Sequence, residues 1–349
     1  MYKISVIMPI YNAGKYLKNA LDSVINQSIG FENIELILVD DKSTDNSKCI
    51  IEEYSNAYSN IVPIFLEENT GWSGIPRNIG IKNATADYIM FIDNDDEYFP
   101  EICDKLYNTL ILENADIVVC DSLHTDNSGT NLFQVDSDMM VYGKEIVYFD
   151  NVLVWRCIFK KSIIWDNNIN FINMVNEDGV FTVEYYMHSE KLVYLNDFIG
   201  YNHIERSSSL SCISFDFSIK VLKSYYMIIK LLKESGVKYD LNRFFTNKIQ
   251  VVILFVIMLD NKDEIKELLS TLHDFEKSIN FVGNLPIIHN CINFFILHGN
   301  LNIATYICLF FSKVKKSNLL LNVYMKFKKI DVNSFLIVEF IVALSDALF

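Results

Sequence analysis

The chain is poor in the residues that break or loosen structure, with 12 glycines and 5 prolines in 349 residues. That scarcity excludes collagen-like, linker-rich and low-complexity disordered architectures. No GxxxxGK[ST] loop and no GxGxxG segment occurs, so the usual P-loop and dinucleotide phosphate cradles are missing. The seven cysteines (Cys49, Cys103, Cys120, Cys157, Cys212, Cys291, Cys308) contain no CxxC pair. An odd, unpatterned set reads as reduced thiols, mostly buried as small apolar groups. Strand-like sequence begins by residue 4, so no targeting segment is expected. No long apolar run is uninterrupted either. The charge-free stretch 278–312 is broken by Asn284, Pro286, His289, Asn290, Asn293, His298 and Asn302, which disfavours a membrane span.

Positive charge is short as well: 30 Lys and Arg stand against 44 Asp and Glu, a net of −14. A negative field repels phosphate backbones, so no nucleic-acid partner is expected. The imbalance is uneven. Residues 1–215 hold 14 basic and 32 acidic side chains, whereas residues 216–349 hold 16 basic and 12 acidic. This split predicts an acidic N-terminal domain over 1–215 and a weakly basic, apolar C-terminal region over 216–349.

What is present in the first part is an alternation of short β-rich runs and helical patterns. Strands are expected at 4–10, 34–39, 61–66, 88–92 and 116–120. Helices are expected after Asn12 as N-cap, over 44–56 with Thr44 or Asp45 as cap, and over 99–114. Near-continuous apolar strands alternating with helices imply an α/β fold, Rossmann-like, with a mostly parallel sheet covered on both faces. Ligands bind such sheets at the carboxyl ends of the strands, where the polar clusters fall. Beyond 215 the pattern turns helical. Phe217, Val221, Tyr225, Ile228, Leu231 and Leu232 keep the helical period, 249–259 reads as an apolar helix, and 335–349 as a packed terminal helix or an oligomer contact.

Three segments carry chemistry. Asp93, Asp95 and Asp96 follow the apolar 88–92 run, and three such carboxylates repel one another unless a cation or donors neutralise them. A hard divalent cation suits oxygen ligands and keeps positions open for phosphate oxygens. A solvated acidic turn, with Asp96 capping the helix expected at 99, is the equal alternative. In Asp40-Asp41-Lys42-Ser43, Asp41 is left at the ligand edge, where a carboxylate can accept the N3–H of uracil; an Asx-turn is equally compatible. Between strands, Gly71, Gly74 and Arg77 offer close backbone approach and a cation facing a diphosphate or the acidic cluster.

Together these pieces resemble the family 2 glycosyltransferases of the GT-A fold. The resemblance runs in order through VIMPIYNAGKYL, VDDKSTDNS, NTGWSGIPRNIGIKNATADYIMFIDNDD and NEDGVFTVEYY, within residues 1–215. It implies that Asp41 binds uracil, that Pro9 and Tyr11 shape the base pocket and that Asp93 contacts the ribose side. It implies further that Asp95 holds Mn²⁺ or Mg²⁺ on the sugar diphosphate. Arg77 would lie near the nucleotide, preceded here by Pro76 where the family commonly has Ala. Asp178 would be the catalytic base of an inverting transfer, with Glu177 orienting the acceptor or the base. Without the upstream motifs, that pair would read as the acidic first turn of a helix.

Arg206 and Ser209 match the loop that closes over the diphosphate in this family. His203 stands where the family often has an aromatic; it is a candidate metal or phosphate contact, with a plain surface histidine the favoured reading. Trp155 matches a segment bordering the acceptor site, although its apolar neighbours Ile158 and Phe159 favour a core position.

In the basic region, six lysines and no acid lie within 313–329 around leucines and aromatics. Such a segment can lie on an anionic membrane, or it is a solvated face over a core contact. The resulting expectation is a metal-dependent, inverting hexosyl- or N-acetylhexosaminyl-transferase. It would move sugar from a UDP-sugar to a hydroxyl of a glycan or cell-envelope polymer, with a lipid-linked acceptor as one candidate. It would work in the cytoplasm, with the inner face of the membrane as a candidate peripheral contact through 313–329 and the C-terminal helices as a candidate homo-oligomer contact. The competing readings are a non-catalytic sugar-nucleotide-binding or scaffold protein, and a sugar-nucleotide nucleotidyltransferase. The latter would need a Gly-rich, Lys-bearing loop after the first strand.

Overall fold

Two seven-residue strands, β1 (Ile4–Ile10) and β2 (Ile34–Asp40), are buried at every position, as their unbroken apolar sequence requires of strands covered on both faces. The structure is a computed structural model describing residues 1–126, 131–135, 141–142, 145–146, 153–174, 176–206 and 262–279, with positions 223–224, 227–228, 231 and 304–305. β1 runs parallel to β2 on one side and to β4 (Tyr88–Phe91) on the other, and β2 runs parallel to β3 (Ile61–Phe65). Helices α1 (Leu17–Ile25), α2 (Ser47–Ala57) and α3 (Gly74–Asn83) form the connections. On α1, Leu17, Ala20, Leu21 and Val24 make the buried stripe.

Past β4 antiparallel pairs join the parallel ones and the sheet becomes mixed. The remaining strands are β5 (Glu97–Tyr98), β6 (Ile117–Asp126), β7 (Asn131–Val135), β8 (Val141–Tyr142), β9 (Glu145–Ile146), β10 (Cys157–Lys160) and β11 (Leu192–Glu205). The order is β3-β2-β1-β4-β10-β6-β11-β5, with β7 on β6 and β8-β9 as a separate pair. β10 lies antiparallel between β4 and β6. Four residues far along the chain, three of them apolar and buried, thus fill a position that a simple βαβ succession would give to β6.

Helices α4 (Ile102–Glu113), α5 (Lys161–Asp166) and α6 (Glu177–Met187) complete the described part of the first unit. α4 starts three residues later than expected. Pro100 disfavours helical backbone at Phe99, whose N–H instead donates to Gly200 O at 2.9 Å. Asn12 is no helix cap: α1 begins at Leu17, and the Asn12 carboxamide oxygen accepts the Thr44 N–H at 2.7 Å.

The chain divides into two compact units, Met1–Cys212 with Lys230–Tyr239, and Ile213–Ile229 with Asp240–Phe349. In the second unit α7 (Lys262–Ile279) buries Ile265, Leu268, Leu269 and Leu272, a helical stripe opposite exposed Lys262, Asp263, Lys266 and Glu267. The backbone is also helical at 223–224, 227–228 and 231. The helices expected over 249–259 and 335–349 and the lysine-rich 313–329 lie outside the described residues. Among the described residues no helix is long and apolar enough to cross a membrane.

Candidate active site

The carboxyl ends of β1, β2 and β4 meet at one edge. Ile10 pairs with Asp40, Ile7 pairs with Phe91, and the Ile92 N–H donates to Ile7 O at 3.1 Å. Side chains stitch the loops there together. The Asn94 amide donates to Pro9 O at 2.8 Å, and the Asn12 N–H donates to Ser43 Oγ at 2.9 Å. Pro9 is buried within β1, while Tyr11, two residues on, is 49% exposed at the mouth.

Asp41 is not left free. Its carboxylate accepts the Thr70 N–H at 2.9 Å, the Thr70 hydroxyl at 3.0 Å and the Asn69 amide at 3.3 Å, and the residue is buried. The Asx-turn falls one residue earlier, where Asp40 accepts the Ser43 N–H at 3.2 Å. The N-cap of α2 is Asn46, and Asp45 just before it supplies the side-chain bond: its carboxylate accepts the Ser47 N–H at 2.9 Å and the Gly14 N–H at 2.8 Å.

The three acids after β4 take three different roles. Asp96 is fully buried and does not cap α4. It accepts from Tyr201 O–H and Ile204 N–H at 2.9 Å each, with His203 Nδ1 also at 2.9 Å. Asp96 therefore anchors the end of β11 beneath the site. Asp95 receives Arg206 at 2.8 Å, and with its side chain 38% exposed it stays open to solvent. Burial, then Asp96 and Asp93, push its pKa up to about 6, against the pull of Arg206 and His203. Asp93 is likewise raised, by burial first and by Asp96, with Arg77 opposing.

Arg206 is folded inward. Its side chain is 5% exposed, lies 4.1 Å from the Tyr16 ring centroid, and also donates to Asp95 O and Ile204 O. His203 is part of an aromatic layer: Trp155 stacks on Tyr201 at 4.0 Å and on His203 at 6.0 Å. Trp155 is 5% exposed, so the core reading holds for it. Burial disfavours charge on His203, but its bond to Asp96 and the charges of Asp96, Asp93 and Asp95 raise its pKa overall. Ser209 lies outside the described residues.

Arg77 points into the protein. Its two terminal nitrogens reach Asp93 Oδ1 and Glu177 Oε1, each at 2.7 Å, and the side chain is 5% exposed. Burial opposes its charge, yet Asp93, Glu177 and Asp178 together raise its pKa. Glu177 is buried and accepts the Ser73 hydroxyl at 2.5 Å on the same oxygen. Asp178 follows in the first turn of α6 and is only partly buried. Burial first, then Glu177 and Asp93, push its pKa up to about 7, while Arg77 and the Gly179 N–H pull it down. A partly exposed carboxylate poised near neutrality is suited to take and release a proton.

Among the described residues no three His, Cys, Asp or Glu side chains converge as a metal-holding group. The donor chemistry nevertheless fits a hard divalent ion at Asp95. It is the open carboxylate of a crowded acidic cluster, and a ligand's phosphate oxygens can supply the other positions. His203 Nδ1 is engaged by Asp96.

Tyr201, Tyr16 and Ser73 are neighbours of the site that sequence reasoning missed, and none carried a local signal. Asp96 was singled out through its place in the acidic run, but not as the anchor of Tyr201 and His203.

Residues 5–168 match the family model described as glycosyl transferase family 2. The chain is 31% identical over 231 residues to the glycosyltransferase GlyG of Streptococcus pneumoniae, covering 62% of this chain and 75% of that protein. It is 28% identical over 298 residues to the poly(ribitol-phosphate) beta-N-acetylglucosaminyltransferase TarP of Staphylococcus aureus, covering 81% of this chain and 90% of that one. Other matched glycosyltransferases are longer, and the chain spans about a third of their length. Among solved structures, S. aureus TarS in complex with UDP-GlcNAc superposes with a TM-score of 0.67 at 21% identity, over 90% of this chain and 91% of that one. That likeness gives the fold, GT-A. Fold, ordered motifs and relatives agree, and the chain belongs to the family 2 glycosyltransferases.

Proposed function

We propose that this glycosyltransferase moves a sugar from a UDP-sugar to a hydroxyl of a cell-envelope polymer or glycan, with inversion at the anomeric carbon. One observation carries the reading. A single buried guanidinium, Arg77, joins Asp93 at the mouth of β4 to Glu177, next to Asp178, so a donor-side acid and a proton acceptor share one edge of the sheet. Asp178 takes the proton from the attacking hydroxyl. Its pKa of about 7 leaves a substantial ionised fraction at neutral pH. Tyr11 lies exposed where a base ring can rest, and Asp41 fixes the adjoining loop.

A divalent ion, Mn²⁺ or Mg²⁺, held at Asp95 would stabilise the charge that develops on the leaving diphosphate. The named activity of TarP and the UDP-GlcNAc complex of TarS support the choice of donor and of acceptor class. The division into a catalytic domain over 1–215 and an acceptor- or membrane-contacting region over 216–349 belongs to the same proposal. So does a cytoplasmic location at the inner membrane face, which rests on charge pattern.

The test is a UDP-release screen across UDP-sugars with Mn²⁺ or Mg²⁺, with and without poly(ribitol phosphate). Release from one sugar, stimulated by polymer and lost with chelator, is expected. Absence of release from every UDP-sugar overturns the donor assignment.

A further inference from the structure

Helix α3 grips the acceptor side of the site with residues that the reaction scheme leaves without a task. Ser73 donates its hydroxyl to Glu177 at 2.5 Å and also receives Arg77 at 3.1 Å. Asn78 pairs with Phe171 as a strand neighbour would: its amide donates to Phe171 O at 2.7 Å and its oxygen accepts the Phe171 N–H at 2.8 Å. A side chain at Gly74 would place its Cβ 2.9 Å from Ile172 O and 3.3 Å from Glu177 Cγ, so the helix and this segment are in closest backbone contact there. Arg77 adds its bond to Glu177 and lies 5.4 Å from the Phe171 ring centroid. Phe171 in turn stacks on Phe181 of α6 at 4.0 Å. These positions share one face of α3.

The same helix is also locked to the donor half. A Cβ at Gly80 would come 2.3 Å from Ile7 Cγ2, so α3 lies directly on β1. Arg77 also holds Asp93 at 2.7 Å.

We infer that Ser73, Gly74, Arg77 and Asn78 form a positioning face that fixes residues 171–174 and 176–178 against Asp93, and that they serve catalysis without touching the nucleotide. This rests on Asp178 being the base. Two of these residues act through hydrogen bonds to backbone or to Glu177, and Arg77 is too buried to be a free phosphate ligand. Glu177 becomes the handle by which the turn is held, and Asp178 beside it stays partly exposed. A displacement of about 1 Å at a reacting group costs on the order of 10²-fold in rate. That sets the scale of the effect.

The experiment uses the full chain and two readouts on Ser73→Ala, Ser73→Thr and Asn78→Ala. In hydrogen–deuterium exchange, the alanine variants should exchange faster in residues 171–181, with the β1 and β2 peptides unchanged. In steady-state UDP release they should lose on the order of 10²-fold in kcat while the donor KM stays within about twofold. Ser73→Thr, which keeps the hydroxyl, should retain most of the wild-type kcat. Unchanged exchange in 171–181 overturns the inference. So does a raised KM with intact kcat, which would make these residues nucleotide ligands, or faster exchange with kcat intact. If the wild-type protein releases no UDP from any sugar nucleotide, the donor assignment is what fails, and the exchange pattern then decides on the positioning face alone.

Discussion

Arg206 and Asp95 form an ion pair at 2.8 Å, with the guanidinium set against the Tyr16 ring. The pair neutralises the one open carboxylate of the acidic run, so the cluster is held together by the protein's own cation when no ligand shares it. On the proposed reading, Arg206 would already be in place to pair with a donor phosphate beside Asp95.

Asp95→Ala should therefore abolish the metal-dependent part of donor binding. Titration calorimetry with a UDP-sugar, with and without Mn²⁺, reads this directly. Equal affinity of wild type and variant in the presence of metal would exclude Asp95 from the metal site.

Asp178→Asn keeps the size of the side chain and removes the proton acceptor. Turnover should fall by about 10²–10⁴-fold, while donor affinity measured by calorimetry stays near wild type. A variant retaining near-normal transfer would mean that another group takes the proton.

The same carboxyl sets the pH response. Its folded-state pKa lies near 7, far above the ordinary carboxylate value of about 3.9. The base role proposed for Asp178 needs the ionised form, so kcat should rise as pH passes through about 7 and level off above it. Stability has the opposite sign. The raised pKa contributes stability that is complete below about pH 4 and is lost as pH rises through the folded value. Asp178→Asn should accordingly melt at a higher temperature than wild type at pH 8, and the gap should close toward pH 4. Thermal scans across that range measure it.

Trp155→Ala separates packing from sugar contact. The indole is buried on Tyr201, so truncation should cost about 3–5 kcal/mol of stability, seen as a lower denaturation midpoint. A variant of unchanged stability with only a raised acceptor KM would show that the ring faces substrate instead.

Much of this site was legible in the chain because its parts are local. The apolar runs that become β1, β2 and β4 announce themselves, and each is followed at once by its polar residues, so Asp41, Asp93 and Asp95 arrive at one edge by topology alone. What was not legible is long-range. Arg77 reads as a loop cation until Glu177, a hundred positions away, is brought beside it. Asp96 reads as a helix cap because nothing nearby announces that Tyr201 and His203 will claim it. β10 has only four residues, and its antiparallel insertion depends on the partners that flank it rather than on any period of its own.

That insertion also bears on the order in which the molecule can assemble. Residues 1–92 contain β1 to β4, joined in the continuous order β3-β2-β1-β4, and can form their half of the sheet while the rest of the chain is still being synthesised. The far half must wait for β10 to dock on β4 and for β11 to run alongside β6, pairings that close very long loops and are correspondingly slow. Until β11 docks, Asp96 lacks Tyr201 and His203, and Asp95 lacks Arg206. The donor scaffold can exist early, whereas the charge-balanced site is a late event in folding, and so the acidic run spends the longest time uncompensated.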